Sequence, residues 1–533
     1  MLSIMLFVTA IVFLINTMLF CAYVSITGAL GLIPTLVCLY IVRRLNPQDQ
    51  TTEVEGWEIG EGVDIENPDK PKKVKAILED RALDLGFLGL GSPGSGKSIM
   101  AIGLLKYFTE HRKKGWVYWE GKGDLDIYQK TVACGATPNK FFSSELPSSD
   151  SINVFSGDTD SVVERLTQIL ISDESDYYGN AQRSALRKVV PLIKGLNITA
   201  SLRDLYVVYT REDAAMYVMN LAKEKEVSPD VIEAARMFFD IDEKDRMEQL
   251  KGLLNKMDAF VLGKIADRIN AYNPTLDLKS SAGKSDSIYF HLPYSKLAKD
   301  LAIMLTEEIG EIAKERQLYD KNRQSWPQVY DDWGAFFYEN FGPISARCRS
   351  AKMPISFLFQ SKGQTDRVDG NRIFTTEITD NIGGMFILRI NGTDTAKWAA
   401  EQFGEYETAE LSRTDNTSYE GNNMSVNETP RVKSDTLKNL NAGEAIISCL
   451  ISGEDGTIRN QRMKVRFPYP DFSEEKDIDW PVIKNHNNDE QEGLHLWRDF
   501  MNADRLNALK QQIIEEDQQI EKNHQKLMDV DYL

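Results

Sequence analysis

Cysteine is scarce: five occur in 533 residues (Cys21, Cys38, Cys134, Cys348, Cys449), and no two form a CxxC pair. That excludes a disulfide-stapled secreted domain and a cysteine-based metal centre, and it fits a reducing compartment. Five histidines argue equally against a histidine-based metal site. Positive charge is in deficit, with 62 Lys and Arg against 80 Asp and Glu, a net charge of −18. A basic protein that coats nucleic acid is thereby excluded, and any DNA contact must use a local basic surface. With 42% apolar and 27% charged residues, the chain is neither wholly disordered nor a polytopic membrane protein. Its length suggests three or four domains of about 150 residues each.

The charge deficit is absolute at one end. Residues 1–42 hold no Asp, Glu, Lys or Arg, and the first charges are Arg43 and Arg44. A helix of that length would run about 60 Å, twice a hydrocarbon core of about 30 Å. The breakers Thr27-Gly28, Gly31 and Pro34 fall in the middle. The pattern therefore predicts two spans, near 2–23 and 28–43, joined by a very short turn. No positive n-region precedes the apolar stretch, which argues against a cleaved signal peptide. Arg43 and Arg44 place both termini and the bulk of the chain in the cytoplasm.

A polar stretch from Asn46 to about Lys75 reads as a linker. After it, apolar Phe87-Leu88-Gly89-Leu90 leads into Gly91-Ser92-Pro93-Gly94-Ser95-Gly96-Lys97-Ser98, and Ile99 to Leu105 follow with helical apolar content. This fits G-x-x-x-x-G-K-[ST] between a buried strand and a helix, the phosphate-binding loop of ATP- and Mg2+-dependent enzymes. Glycines let backbone N–H groups wrap the phosphates, Lys97 reaches the outer phosphate oxygens, and Ser98 sets a hydroxyl on Mg2+. A glycine-rich turn without ligand is the alternative, and the strand–loop–helix context disfavours it.

Such a site needs an acid at the end of a second strand. Pro327-Gln328-Val329-Tyr330-Asp331-Asp332 is the best match, with Asp331 on Mg2+ and Asp332 orienting or deprotonating water. A plain strand-end turn is the competing reading. The run Ile355–Phe359 ends in Gln360, placed either to sense the terminal phosphate or to cap a strand as a buried amide. Gly384–Ile390 and Ile446–Ile451 read as further strands, the latter as a late edge strand. Strands alternating with helices predict an α/β fold with a mostly parallel sheet.

The order of these pieces resembles the TraD/TraG family, the coupling ATPases of conjugation and type IV secretion. Trp119-Glu120-Gly121-Lys122-Gly123-Asp124 is similar to the family's Asp-Pro-Lys-Gly-Glu element, with the two acids exchanged in type. Ile152-Asn153-Val154-Phe155 leads into a helix at Asp160–Ile171. Asp331-Asp332-Trp333-Gly334 stands where the family has Asp-Glu-aromatic-Gly. Ala346-Arg347-Cys348-Arg349-Ser350 followed by Phe359-Gln360-Ser361 resembles its arginine-rich helix and glutamine strand. The set covers about residues 80–470.

The resemblance implies a RecA-like P-loop NTPase domain with an inserted all-α domain, preceded by a two-helix transmembrane hairpin. The implied boundaries are 1–44 for the hairpin, 45–78 for the linker, 79–165 and 276–473 for the nucleotide domain, and 166–275 for the α domain. Helical spacing at Ala181–Val190, Glu212–Lys223, Pro229–Phe239 and Arg246–Leu262 supports the insert. Residues 474–533 carry net −8 and read as a tail whose helix runs from Leu494 to Leu527. The family's action implies a homo-hexameric ring in which a neighbour supplies an arginine to the transferring phosphate. Arg347 and Arg349 are the candidates, with Arg389 behind them.

Two functions of different class follow. One is a membrane-anchored ATPase that drives DNA, a single strand with its relaxase, into a type IV secretion channel. The other is a docking platform for protein effectors in which ATP turnover is secondary. A phage-assembly ATPase would want one span after the ATPase domain. A chromosome translocase would want several spans and a C-terminal winged helix, and neither pattern is present.

Overall fold

The computed structural model describes residues 8–13, 55–171, 177–332, 334, 336–338, 340–366, 379–416, 419–452, 458–472, 478–483, 491–501 and 511. The chain divides into Met1–Glu55 and Gly56–Leu533. In the first unit, residues 8–13 are helical. The predicted spans otherwise lie outside the described residues, among which no helix is long and apolar enough to cross a membrane.

The second unit is organised by an eleven-stranded sheet of order β2-β1-β13-β12-β9-β3-β8-β7-β4-β6-β5. Seven adjacent strands are parallel: β9 (Gly384–Ile387), β3 (Phe87–Leu90), β8 (Ile355–Phe359), β7 (Gln328–Asp331), β4 (Val117–Glu120), β6 (Ile288–His291) and β5 (Lys140–Ser143). Every residue of β3, β4, β6, β7, β8 and β9 is buried, as expected for strands covered on both faces. Alternation divides their side chains between two cores. Leu88, Trp119, Phe290, Tyr330 and Phe357 enter one, and Phe87, Tyr118, Tyr289, Val329 and Leu358 the other. In the first core Trp119 stacks between Tyr330 at 4.8 Å and Phe290 at 4.2 Å, across three neighbouring strands.

Four antiparallel strands continue the sheet beyond β9. They are β12 (Glu444–Ser452), β13 (Ile458–Arg466), β1 (Gly56–Asp64) and β2 (Lys72–Glu79). Two expectations are corrected here. Residues 56–78, read as linker, lie within the hairpin of β1 and β2, because Trp57 and Ile59 alternate with exposed Glu58 to give one buried face. The segment Ile446–Ile451 is an internal strand, with β9 on one side and β13 on the other. A separate hairpin pairs β10 (Glu405–Asn416) with β11 (Tyr419–Pro430).

Side-chain caps start several of the helices. The phosphate-loop helix α1 (Lys97–Glu110) and α2 (Leu125–Ala133, capped by Asp124) cover one face of the sheet. The other face carries α3 (Thr159–Leu170, capped by Asp158), α9 (Lys296–Tyr319, capped by Ser295) and α10 (Phe341–Ser350). Between β5 and β6 lie α3, α4 (Tyr177–Gly195), α5 (Leu202–Thr210), α6 (Glu212–Glu224), α7 (Pro229–Phe239) and α8 (Glu243–Val261). Their apolar faces join the sheet in one continuous core. Buried Arg165 of α3 clamps α9 through Glu308 at 3.0 Å and Glu311 at 3.1 Å. Ile152–Phe155 forms no strand, only a single bridge from Asn153 to Asn270.

One buried carboxylate ties the C-terminal segment to these helices. Asp204, the third residue of α5, closes a capping box with Ser201. It also accepts from Tyr272 Oη at 2.9 Å and from the backbone N–H of Leu496 at 2.8 Å. The short helix Leu496–Phe500 then packs Trp497 on Tyr206 and Phe500 on Tyr217. Met501 is extended and ends that helix, so the continuous tail helix expected from Leu494 is interrupted here, and all but residue 511 of its remainder lies outside the described residues.

Asp204→Ala should lower the unfolding free energy by about 3 kcal/mol, because several buried donors lose their charged acceptor together. Urea unfolding reads the loss, and limited proteolysis near Leu496 should accelerate. Unchanged stability would contradict this role.

Candidate functional site

The parallel strands all end on one edge of the sheet, and the predicted site residues converge there. After β3 the chain turns sharply. Gly91 donates its N–H to the Phe359 carbonyl at 3.2 Å, and Ser92 donates to the Arg389 carbonyl at 2.8 Å. Gly94 at φ +71° and Gly96 at φ +102° take left-handed conformations that a side chain would strain. Gly96 then opens α1, so the turn through Pro93, Gly94 and Ser95 runs directly into a helix N-terminus, whose first N–H groups have no partner within the helix. The turn is braced from behind by the Gly443 N–H, which donates to the Ser95 carbonyl at 2.9 Å.

Lys97 is 5% exposed, and its ammonium donates to the loop carbonyls of Gly91 and Ser92. Burial pushes its pKa down to about 8, partly countered by Asp331 and Asp332 and reinforced by Lys122. Ser98 Oγ donates to Asp331 Oδ2 at 2.7 Å. The same carboxylate oxygen takes the Tyr118 hydroxyl at 2.8 Å and lies 4.0 Å from Lys122 Nζ. A hydroxyl and a buried carboxylate in direct contact are the donor types that suit Mg2+. No cluster of three or more His, Cys, Asp or Glu side chains suited to a metal occurs among the described residues.

Asp332 takes φ +56°, an unusual left-handed conformation for a non-glycine residue. This turn brings its Oδ1 to 3.0 Å from Gln360 Nε2, the donor at the end of β8. Gln360 is itself fixed, its backbone N–H donating to Gln364 Oε1 at 2.8 Å. Asp331, Asp332, Gln360, Lys97 and Ser98 thus share one edge of the sheet.

The two arginines of α10 lie elsewhere. Arg347 is exposed, and its carbonyl accepts from Gln317. Arg349 donates to the Asn381 carbonyl at 3.1 Å. Neither contacts the phosphate loop of its own chain among the described residues. Trp333 lies outside them.

Glu120 is a further acid at this edge, with no role implied by the motif order. Glu120 ends β4 directly opposite Asp331 in the strand register and is 1% exposed. Burial pushes its pKa up to about 7, against the lowering effect of N–H groups from Lys122 and Gly123. The signal that could have found it was an acid closing a run of four buried residues. Arg389, which the sequence placed behind the two α10 arginines, does lie at the loop, where its carbonyl accepts from the Ser92 N–H.

Among known proteins, residues 331–442 match the family described as the TraM recognition site of TraD and TraG. No curated protein matches the chain by sequence. Among solved structures it is similar to the bacterial conjugative coupling protein TrwBdeltaN70 in its unbound form, at 15% identity and TM-score 0.54, over 76% of this chain and 89% of that one. It is similar to plasmid coupling protein TrwB in complex with ADP and Mg2+, at 13% identity and TM-score 0.51, over 78% of this chain and 95% of that one. A further match is TrwB with the ATP analogue ADPNP, at 12% identity and TM-score 0.51, over 81% of this chain and 98% of that one. At these identities the structures establish the fold alone, a RecA-like one. The resemblance to TraD/TraG coupling proteins carried by the motif order is borne out, by the segment match in sequence and by the solved structures in fold.

The electrostatics of Lys97 yield a test that does not depend on ligand. Its folded-state pKa is the lower one, so the charged lysine destabilises the fold most below about pH 8, and the deficit fades as pH rises toward the ordinary 10.5. Lys97→Met should therefore raise the unfolding free energy of the nucleotide-free protein at pH 7 by about 2 kcal/mol, with the gain shrinking at higher pH. A destabilised Lys97→Met protein at pH 7 would show that the burial cost is met elsewhere.

Proposed function

We propose that this chain is an ATP-hydrolysing coupling protein of a conjugation or type IV secretion system, anchored in the bacterial inner membrane by two N-terminal spans with its bulk in the cytoplasm. It drives DNA, a single strand with its relaxase, into the secretion channel, and it works as a homo-hexamer. The observation that carries the reading is the meeting of Lys97, Ser98, Asp331, Asp332 and Gln360 at one edge of a parallel sheet. The family match over residues 331–442 and the fold shared with TrwB point the same way.

In this reading the N–H groups of Gly94, Gly96, Lys97 and Ser98 cradle the phosphates, while those of Gly91, Ser92 and Ser95 hold the loop in shape. Lys97 leaves the loop carbonyls to meet the outer phosphate oxygens. Ser98 and Asp331 hold Mg2+, which when bound offsets phosphate charge. Asp332, held by Gln360, orients the attacking water and accepts its proton. Arg347 or Arg349 of a neighbouring copy approaches the transferring phosphate. The domain boundaries read from the sequence belong to this proposal, with the nucleotide domain beginning at Gly56, where the sheet starts.

One observation favours the second reading, a platform for protein effectors. A groove of about 920 Å³ runs between α6 and α7, lined by Met216, Met219, Ile232 and Phe239 and rimmed by charge, with Met216 60% exposed. Flexible methionine surfaces suit protein partners.

ATP hydrolysis by the full chain, with and without single-stranded DNA, separates the two. DNA stimulation of several-fold, abolished by Lys97→Ala, is the expected result. Basal turnover indifferent to DNA would favour the effector platform, and absence of turnover in every condition would contradict the ATPase reading.

A further inference from the structure

The strand end beyond β9 runs along the phosphate loop. Register continues from Leu90 opposite Ile387, and the Leu388 N–H donates to the Leu90 carbonyl at 2.8 Å. Ser92 is then gripped twice. Its N–H donates to the Arg389 carbonyl at 2.8 Å, and its Oγ accepts from the Asn391 N–H at 2.8 Å. These bonds fix the Arg389 backbone beside the first turn of the loop.

The side chain lies over the crest of that turn. A Cβ placed on Gly94 would stand 3.9 Å from Arg389 Nη2, with no other atom outside the loop as near. Arg389 Nε is shut off from solvent and has no hydrogen-bond partner. Arg165 and Arg462 bury an unpartnered Nε too, but their outer nitrogens meet Glu308 at 3.0 Å and Glu66 at 3.1 Å. Arg389 meets no carboxylate among the described residues. A guanidinium held against an anion-binding loop without a counter-charge is poised for an anion.

We propose that Arg389 binds the phosphate tail of the nucleotide within its own chain, as a second fixed cation beside Lys97. The inference rests on the nucleotide-site reading above and deepens it. It differs in kind from the arginines of α10, which would have to come from a neighbour. A contact in cis acts on binding in the isolated chain, whereas a contact in trans requires assembly.

The test is isothermal titration of the full chain with ADP and with a non-hydrolysable ATP analogue, in Mg2+, over a range of protein concentrations. Arg389→Gln is expected to weaken both by about tenfold or more, since a charge-assisted phosphate contact is lost. Arg389→Lys keeps a cation and should recover part of that loss. The weakening should be the same at concentrations where the chain is monomeric. Wild-type affinity in Arg389→Gln, alongside lost binding in Lys97→Ala, would overturn the proposal and leave the nucleotide site standing. Equal loss in the Gln and Lys proteins would assign Arg389 a merely structural part. Weakening only under self-association would place its action across an interface. Failure of the wild type to bind nucleotide would remove the site itself.

Discussion

The carboxylate of Asp331 is the interaction on which the rest of the site depends. It is 1% exposed, yet it stands at the end of a central strand where burial of a lone charge is most costly. Its cost is offset by the Ser98 and Tyr118 hydroxyls, the Asp332 N–H and the nearby Lys122 ammonium. Through Ser98 it locks the N-terminus of α1 to the strand two places along the sheet. The phosphate loop is therefore stretched between a carboxylate in front and the Ser95–Gly443 bond behind.

The sheet around this point is built to keep those distances. Six of the seven parallel strands are buried throughout, and Trp119 stacks across the two strands that flank its own. The antiparallel extension from β12 to β2 brings Gly443 against the back of the loop, so the polar-looking N-terminal hairpin is part of the scaffold. On the opposite side of the sheet the buried Arg165–Glu308–Glu311 cluster couples α3 to α9. Removing one partner of such a cluster is costly, because an uncompensated buried charge is left behind.

The parts legible in the sequence are those whose signal is local. The phosphate loop shows in its glycine spacing, and the parallel strands show as apolar runs too short to be helices. The acids of β7 and the amide of β8 follow strand ends and could be placed by that alone. Other parts depend on contacts far along the chain. The alternation Trp57-Glu58-Ile59 is short, and β13 carries six charged or amide residues in nine, so neither announces a strand until they pair. The helix α5 has a weak local signal, since its β-branched pair Val207-Val208 favours extended backbone. The Ser201–Asp204 capping box and tertiary burial decide otherwise. Arg389 could not be distinguished from Arg347 or Arg349 by sequence, since only the β3–β9 pairing shows which arginine lies on the loop.

The central claim is that Asp331 and Ser98 form the cation-holding half of a nucleotide site. It is tested most directly by titrating a non-hydrolysable ATP analogue into the wild-type and Asp331→Asn proteins, each with and without Mg2+. The account predicts that Mg2+ tightens binding to the wild type by about tenfold or more and adds nothing in Asp331→Asn, whose neutral amide cannot supply the anionic oxygen. An undiminished gain from Mg2+ in Asp331→Asn would contradict it.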